Sequence, residues 1–255
     1  TTTANGAPSF FQRDIPSVGS LGDYEPRVYF GENSPDYSIV GAAAGTDPWE
    51  IDFPDDSADN GQVLTTYSGD GGPQLSNWWE KLMFAIKFRS TDMFFSDRVT
   101  SNSQILYDRD PSERVAKVAP YLTLDSKAYP AVVDMDGDDS TPKRLVWIID
   151  AYTTSNSYPY SARTSLSSAT EDAQSTGVSI YGGEDEVNYV RNSVKAVVDA
   201  YDGSVTLYEW DDSDPVLQAW ENIFPGMITP VSEMSGDLLS HVRYPEDLFK
   251  VQRTL

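Results

Sequence analysis

The run Leu145-Val146-Trp147-Ile148-Ile149 constrains this chain more than any other stretch. Five consecutive apolar residues, three of them β-branched, place apolar side chains on both faces of an extended segment, as a central strand requires. Ala131-Val132-Val133 is a second apolar run, and an acidic, turn-rich tip separates the two. A β-hairpin is the simplest reading.

Further strands are expected at Arg27–Gly31, Tyr37–Val40, Gln62–Thr66, Ser103–Tyr107 and Val205–Trp210. A helix is expected after Ser76, which can cap it, with Trp79, Leu82, Met83 and Ile86 forming an apolar stripe toward a core. Asp110-Pro111-Ser112-Glu113 is a helix start with an acid at the N-cap and proline in the first turn. Asp214-Pro215 is another, and Tyr244-Pro245-Glu246-Asp247 opens the last helix. Val187, Val190, Val194, Val197, Val198 and Tyr201 follow helical spacing, which predicts a long helix ending at Asp202-Gly203.

No internal repeat and no Gly-rich phosphate loop is present, and strands and helices do not alternate regularly. The expected class is α+β, with a mixed or mainly antiparallel sheet packed with about five helices. The 255 residues are expected to form a single domain. Residues 1–26, with Phe10, Phe11 and Ile15, read as an irregular lead-in, and residues 153–183 as a Ser/Thr-rich loop. No helix stop precedes Leu255, so the polypeptide is expected to continue beyond it.

Forty acids against 18 bases give a net charge of −22. That surface repels phosphate backbones and anionic headgroups, and it favours solubility, cations and basic partners. Nucleic acid is therefore excluded as a partner. Cysteine is absent, which removes disulfides, thiol nucleophiles and thiolate metal sites. No run is long and apolar enough for a membrane span, and no leader opens the chain.

Several strings are distinctive: Arg27-Val28-Tyr29-Phe30-Gly31-Glu32, Phe84-Ala85-Ile86-Lys87-Phe88, Ala119 to Asp125, Asn188 to Gly203, and His241 to Phe249. Together they resemble uncharacterised protein family 0182, large multi-pass membrane proteins of bacteria, especially high-GC Gram-positive ones. The resemblance runs from about Arg27 to the end. It implies a block of transmembrane helices followed by a large extracytoplasmic region to which this chain belongs. The acidic tip at 134–143 and the loop at about 162–183 look extended relative to the family pattern. The resemblance carries no catalytic residues.

Candidate sites are few. His241 is the single histidine, so a Ser-His-Asp triad has one possible member and a zinc site with several histidines is impossible within the chain. A packing or helix-terminal role is the plainer reading of His241. The tip carries Asp134, Asp136, Asp138 and Asp139 around Gly137. Alternating carboxylates can wrap calcium, although Asp139 and Leu145 stand where a calcium-binding helix–loop–helix needs Gly and Glu. A solvated hairpin turn is the alternative.

Asp125, Asp150 and the Glu184-Asp185-Glu186 run are candidates for paired-carboxylate glycoside hydrolysis, with Trp78, Trp147, Tyr158, Tyr160 and Tyr181 as sugar platforms. Acids ahead of the valine stripe are equally explained as stabilising a helix N-terminus. Trp78-Trp79 can anchor a partner or a membrane surface, with a core role for Trp79 as the alternative.

The leading expectation is a non-enzymatic extracytoplasmic module that binds a protein, lipid or glycan of the cell envelope, or that assembles with its own transmembrane region. A carboxylate hydrolase of envelope glycans and a calcium-stabilised adhesion-like module are the alternatives.

Overall fold

The structure is a computed structural model that describes residues 19, 23–43, 45–55, 60–138, 140–171 and 185–254. In chain order its elements are β1 (Tyr24–Glu25), β2 (Tyr37–Val40), β3 (Glu50–Pro54), β4 (Gln62–Thr65), α1 (Trp78–Phe88), α2 (Thr91–Phe95), β5 (Gln104–Tyr107), α3 (Pro111–Val118), β6 (Thr123–Leu124) and β7 (Tyr129–Val133). There follow β8 (Lys143–Ser155), β9 (Thr164–Ser165), α4 (Leu166–Thr170), β10 (Glu186–Val187), β11 (Tyr189–Asp199), β12 (Val205–Glu209), α5 (Pro215–Ile223), β13 (Thr229–Pro230), α6 (Gly236–His241) and α7 (Glu246–Thr254). The class is α+β, as expected. Among the described residues no helix is long and apolar enough to cross a membrane.

The chain divides into two compact units. One holds Gly19, Pro26–Arg109 and Tyr201–Gly203; the other holds Asp23–Glu25, Asp110–Ala200 and Ser204–Leu255.

In the first unit, β2 pairs antiparallel with β5 and β3 with β4. Helix α1 starts at Asn77 rather than Ser76: the Asn77 side chain accepts from the Glu80 amide at 3.0 Å, and Glu80 accepts back from the Asn77 amide. This is the reciprocal capping box. The helix buries Phe84, Ala85 and Phe88 against Leu75, Met93, Val99 and Ile105. The predicted stripe lies on the opposite side: Trp79, Met83 and Ile86 are 59%, 68% and 68% exposed. Nearly the whole of α1 is apolar, so periodicity alone does not choose its buried face.

Arg27–Gly31, predicted as a strand, is irregular. Side chains hold it instead. Arg27 forms a two-pronged pair with Asp52 (2.8 and 2.6 Å), Arg109 donates to the Tyr29 carbonyl (2.6 Å), and Phe30 is fully buried.

In the second unit, a seven-stranded mixed sheet has the path β1-β8-β11-β12-β13, with β6 and β7 also paired to β8. The predicted hairpin is present: β7 and β8 pair antiparallel from Tyr129↔Ile148 to Val133↔Arg144, and Gly137 supplies the left-handed residue of the tip (φ +75°). Both faces of β8 are covered. Ile149 and Ala151 pack with Val194, Ala196, Val198 and Leu207 under α3 and α5 residues Val115 and Leu217. Val146 and Ile148 pack on the other side with Val197, Tyr208, Met234 and Leu238.

The predicted valine helix is the strand β11. Four of its residues are β-branched valines, and both its faces are buried, so the two-residue alternation is hidden. A bulge between Asn192 and Val194 shifts the phase further. Val190, Val194 and Val197 then mimic a spacing of three to four.

Candidate functional site

The second unit carries a cleft of about 670 Å³. This falls within the usual range for ligand pockets, roughly 300–1,000 Å³. Its floor is β11, through Arg191, Asn192 and Lys195. One wall is the end of β12, with Trp210 and Asp211. The other wall is the turn from α6 into α7, including Arg243, Tyr244, Leu248 and Gln252.

The bulge builds the floor. The Ser193 carbonyl accepts from the amides of Trp210 (2.8 Å) and Asp211 (3.3 Å), which turns the chain after β12 and sets the indole beside β11. Lys195 and Asp150 are directly opposite across β11 and β8, and their side chains form an ion pair with only 1% and 3% of each residue exposed. The Lys195 ammonium also donates to the Arg243 carbonyl (3.3 Å) and lies 4.9 Å from the Trp210 ring centre. Burial lowers the Lys195 pKa against the pull of Asp150, and burial raises that of Asp150 against the pull of Lys195. Each group is thus drawn toward its neutral form, the expected direction for charges taken out of water.

Around this floor, Arg191 pairs with Asp211 at 3.3 Å and reaches Ser213 at 3.3 Å. Arg243 stacks its guanidinium on Tyr129, 4.6 Å from the ring centre, and its backbone amide donates to the Tyr129 hydroxyl at 3.0 Å. Tyr244 is exposed and donates to Gln252 (2.9 Å). Asn192 donates to the Ala151 carbonyl (3.2 Å), while its own Oδ1 is buried without a hydrogen-bond partner.

A second network fixes the α7 wall. Asp125 accepts from the Tyr152 hydroxyl (2.6 Å) and from the Asp247 amide in the first turn of α7 (3.0 Å). Asp247 in turn accepts from the amide and hydroxyl of Ser126 (2.7 and 2.9 Å), and Lys250 reaches both Glu246 (2.9 Å) and Asp247 (3.3 Å). Burial raises the Asp125 pKa, opposed by the Tyr152 hydrogen bond. Asp125 is therefore the cap of α7, supplied from the β6–β7 connection.

A family model described as Uncharacterised protein family (UPF0182) matches residues 1–255. The chain belongs to the UPF0182 family. It is 57% identical to a UPF0182 protein of Arthrobacter sp. (strain FB24), 57% to one of Bifidobacterium longum and 51% to one of Tropheryma whipplei, each over 99% of this chain. It spans only about a quarter of the length of these curated relatives (25%, 23% and 25%). No solved structure matches it.

The residues singled out in this UPF0182 sequence are scattered. Asp150 alone reaches the cleft, from beneath the floor through its pair with Lys195. Asp125 caps α7. Asp185 accepts from the Ser167 amide (2.8 Å) and the Ser165 hydroxyl (2.8 Å), so it does serve a helix N-terminus, but that of α4. Those hydrogen bonds lower its pKa. Glu186 is exposed on β10, and Glu184 and Tyr181 lie outside the described residues. Trp78 is exposed and stacked on Trp79, Trp147 packs on the core, Tyr158 stacks on Tyr189, and Tyr160 is fully exposed. None of these aromatics lines the cleft. His241 ends α6, with Nδ1 2.8 Å from the Asp237 carbonyl.

At the acidic tip Asp134, Asp136 and Asp138 serve their own loop. Asp134 accepts from the amides of Asp136 and Gly137 (3.1 and 2.7 Å), Asp136 from the Asp138 amide and the Thr141 hydroxyl (3.0 Å each), and Asp138 from the Ser140 amide (2.9 Å). The pKa of Asp136 is lowered by the Asp138 amide first, and that of Asp138 by its bonds to Ser140. Asp139 lies outside the described residues, and among those described no group of three or more acid or histidine side chains is disposed to hold a metal ion.

Lys195, Trp210, Arg243 and Tyr244 were not legible as a site. The available signal was a charge inside each of two apolar runs: Lys195 between Val194 and Ala196, and Asp150 between Ile149 and Ala151.

Proposed function

We propose that this chain is a non-enzymatic, extracytoplasmic binding module of a multi-pass bacterial membrane protein, and that its envelope ligand is seated in the cleft of the second unit. The observation that carries the reading is the cleft floor: Lys195, in a buried pair with Asp150 and in contact with Trp210, lines a cavity of about 670 Å³. A buried ion pair contributes little net stability compared with apolar residues of the same size, so its place at the bottom of a ligand-sized cavity favours a role in recognition. The two acids best placed by sequence for hydrolysis are both engaged, Asp125 by Tyr152 and α7 and Asp150 by Lys195. That engagement favours binding over glycoside chemistry. The family resemblance supports the membrane context.

The localisation is tested in the full-length protein. This chain has no cysteine, so a Tyr160→Cys variant introduces one fully exposed thiol into it. The expected result is labelling by a membrane-impermeant maleimide in intact cells. Labelling only after lysis refutes the extracytoplasmic placement. Binding is tested by titrating envelope saccharides and peptides into the chain and into a Trp210→Ala variant, with loss of binding in the variant as the expected result.

A further inference from the structure

Forty acids and 18 bases make the chain strongly negative, yet the cleft lining reverses the balance: Arg191, Lys195 and Arg243 face a single acid, Asp211. Lys195 is answered by Asp150 beneath the floor, and Arg191 is shared with Asp211. Among the described residues, the Arg243 guanidinium has no carboxylate partner; it rests on the face of Tyr129. Stacking of this kind fixes the orientation of the guanidinium plane and leaves its edge donors free for a bidentate carboxylate.

Two other features narrow the ligand. Asn192 lines the same cleft, and its Oδ1 is a buried acceptor without a hydrogen-bond partner. Buried polar atoms are nearly always satisfied, and a turn of the Asn192 side chain toward the cleft lets a ligand hydroxyl or N–H supply the missing donor. Trp210 and Tyr244 both line the cleft and are 39% and 61% exposed, so aromatic surface is available to a ring. Hydroxyl donors, a ring to lie against the indole and a carboxylate for the guanidinium meet in one chemical class.

We infer that the cleft binds an acidic sugar, a hexuronate-type residue of an anionic glycan, with its carboxylate on Arg243 and a hydroxyl donated to Asn192 Oδ1. This rests on the cleft being the binding site, and it deepens that reading by naming the ligand.

The test is calorimetric titration of the full chain with three probes of matched size: tetragalacturonate, maltotetraose and tetraglutamate. The expected result is binding of tetragalacturonate alone, weakened by salt as a charge-assisted contact must be. Arg243→Gln is expected to weaken it by about tenfold or more, the range of one hydrogen-bonded charge. The same variant should leave the melting temperature unchanged, because the residue is exposed. Equal binding of maltotetraose, insensitive to Arg243→Gln but abolished by Trp210→Ala, overturns the acidic-sugar assignment and leaves the cleft as the site. Binding of tetraglutamate in preference to tetragalacturonate also overturns the assignment, in favour of an acidic peptide. Tetragalacturonate binding that neither Arg243→Gln nor Trp210→Ala alters overturns both the assignment and the cleft, as does the absence of binding by all three probes.

Discussion

Replacing Lys195 by Met removes one half of the ion pair while keeping the length and most of the volume of the side chain. Asp150 is then left 3% exposed on β8 with no cation opposite it on β11. Two opposite charges at about 4 Å attract by about 4 kcal/mol at an effective dielectric of 20, and desolvation costs several kcal/mol per ion. The intact pair therefore nearly cancels, whereas the orphaned carboxylate keeps its cost; the expected loss is about 3–5 kcal/mol at pH 7. Burial already raises the Asp150 pKa, and without Lys195 it rises further. For a carboxyl whose folded pKa is raised, stability is fully present below the unfolded value of about 3.9 and is lost as pH rises through the folded pKa. Lys195→Met should thus be closer to the parent at pH 5 than at pH 7. The double variant Lys195→Met/Asp150→Leu has no charge left to bury and should recover to within about 1 kcal/mol of the parent or exceed it. Urea denaturation at both pH values measures all of this. A single variant within about 0.5 kcal/mol of the parent at pH 7, or a double variant no better than the single, refutes the buried pair.

Three further outcomes are expected. Asp214, the N-cap of α5, is fully buried and accepts from Ser193 (2.5 Å), Tyr189 (2.6 Å), the Val216 amide (3.0 Å) and Thr153; burial opposes its charge, yet these bonds leave its pKa lowered. Asp214→Ala should cost about 3–5 kcal/mol through the lost cap and stranded hydroxyls, and the wild-type contribution, present above the unfolded pKa, should fade on acidification through the lowered one, as urea titrations in pH series would record. Trp79→Ser and Ile86→Ser should each change stability by less than about 0.5 kcal/mol, whereas Phe84→Ala on the packed face should cost about 3 kcal/mol; thermal melts showing the reverse order would invert the orientation of α1. Calcium at millimolar concentration should leave the melting temperature where magnesium leaves it, because Asp134, Asp136 and Asp138 are committed to their own loop; a rise specific to calcium would show that the loop reorganises around the ion.

The sequence was legible where local chemistry and tertiary packing agree. The β7–β8 hairpin follows from two apolar runs around an acidic turn, and the Asp-Pro starts of α3 and α5 cap as proline and N-cap preferences require. Reading failed where both faces of an element are apolar. In α1 the side carrying Trp79, Met83 and Ile86 competes with the side carrying Phe84, Ala85 and Phe88, and only the packed partners decide. In β11 the double burial and the bulge imitate a helix. That second error also hid the site. On a helix Lys195 falls away from the valine stripe and reads as a solvated charge; on a strand it faces Asp150 across the sheet. Arg243 and Tyr244 come from the far end of the sequence, between α6 and α7, and no local pattern connects them to β11.

The most direct test of the cleft is hydrogen–deuterium exchange on the full chain with and without saturating tetragalacturonate. The expected result is slower exchange in residues 190–195 and in residues 239–252, the floor and the α6–α7 wall, with the β7–β8 tip unchanged. Protection confined to the tip or to α1, or none in either cleft segment, would contradict it.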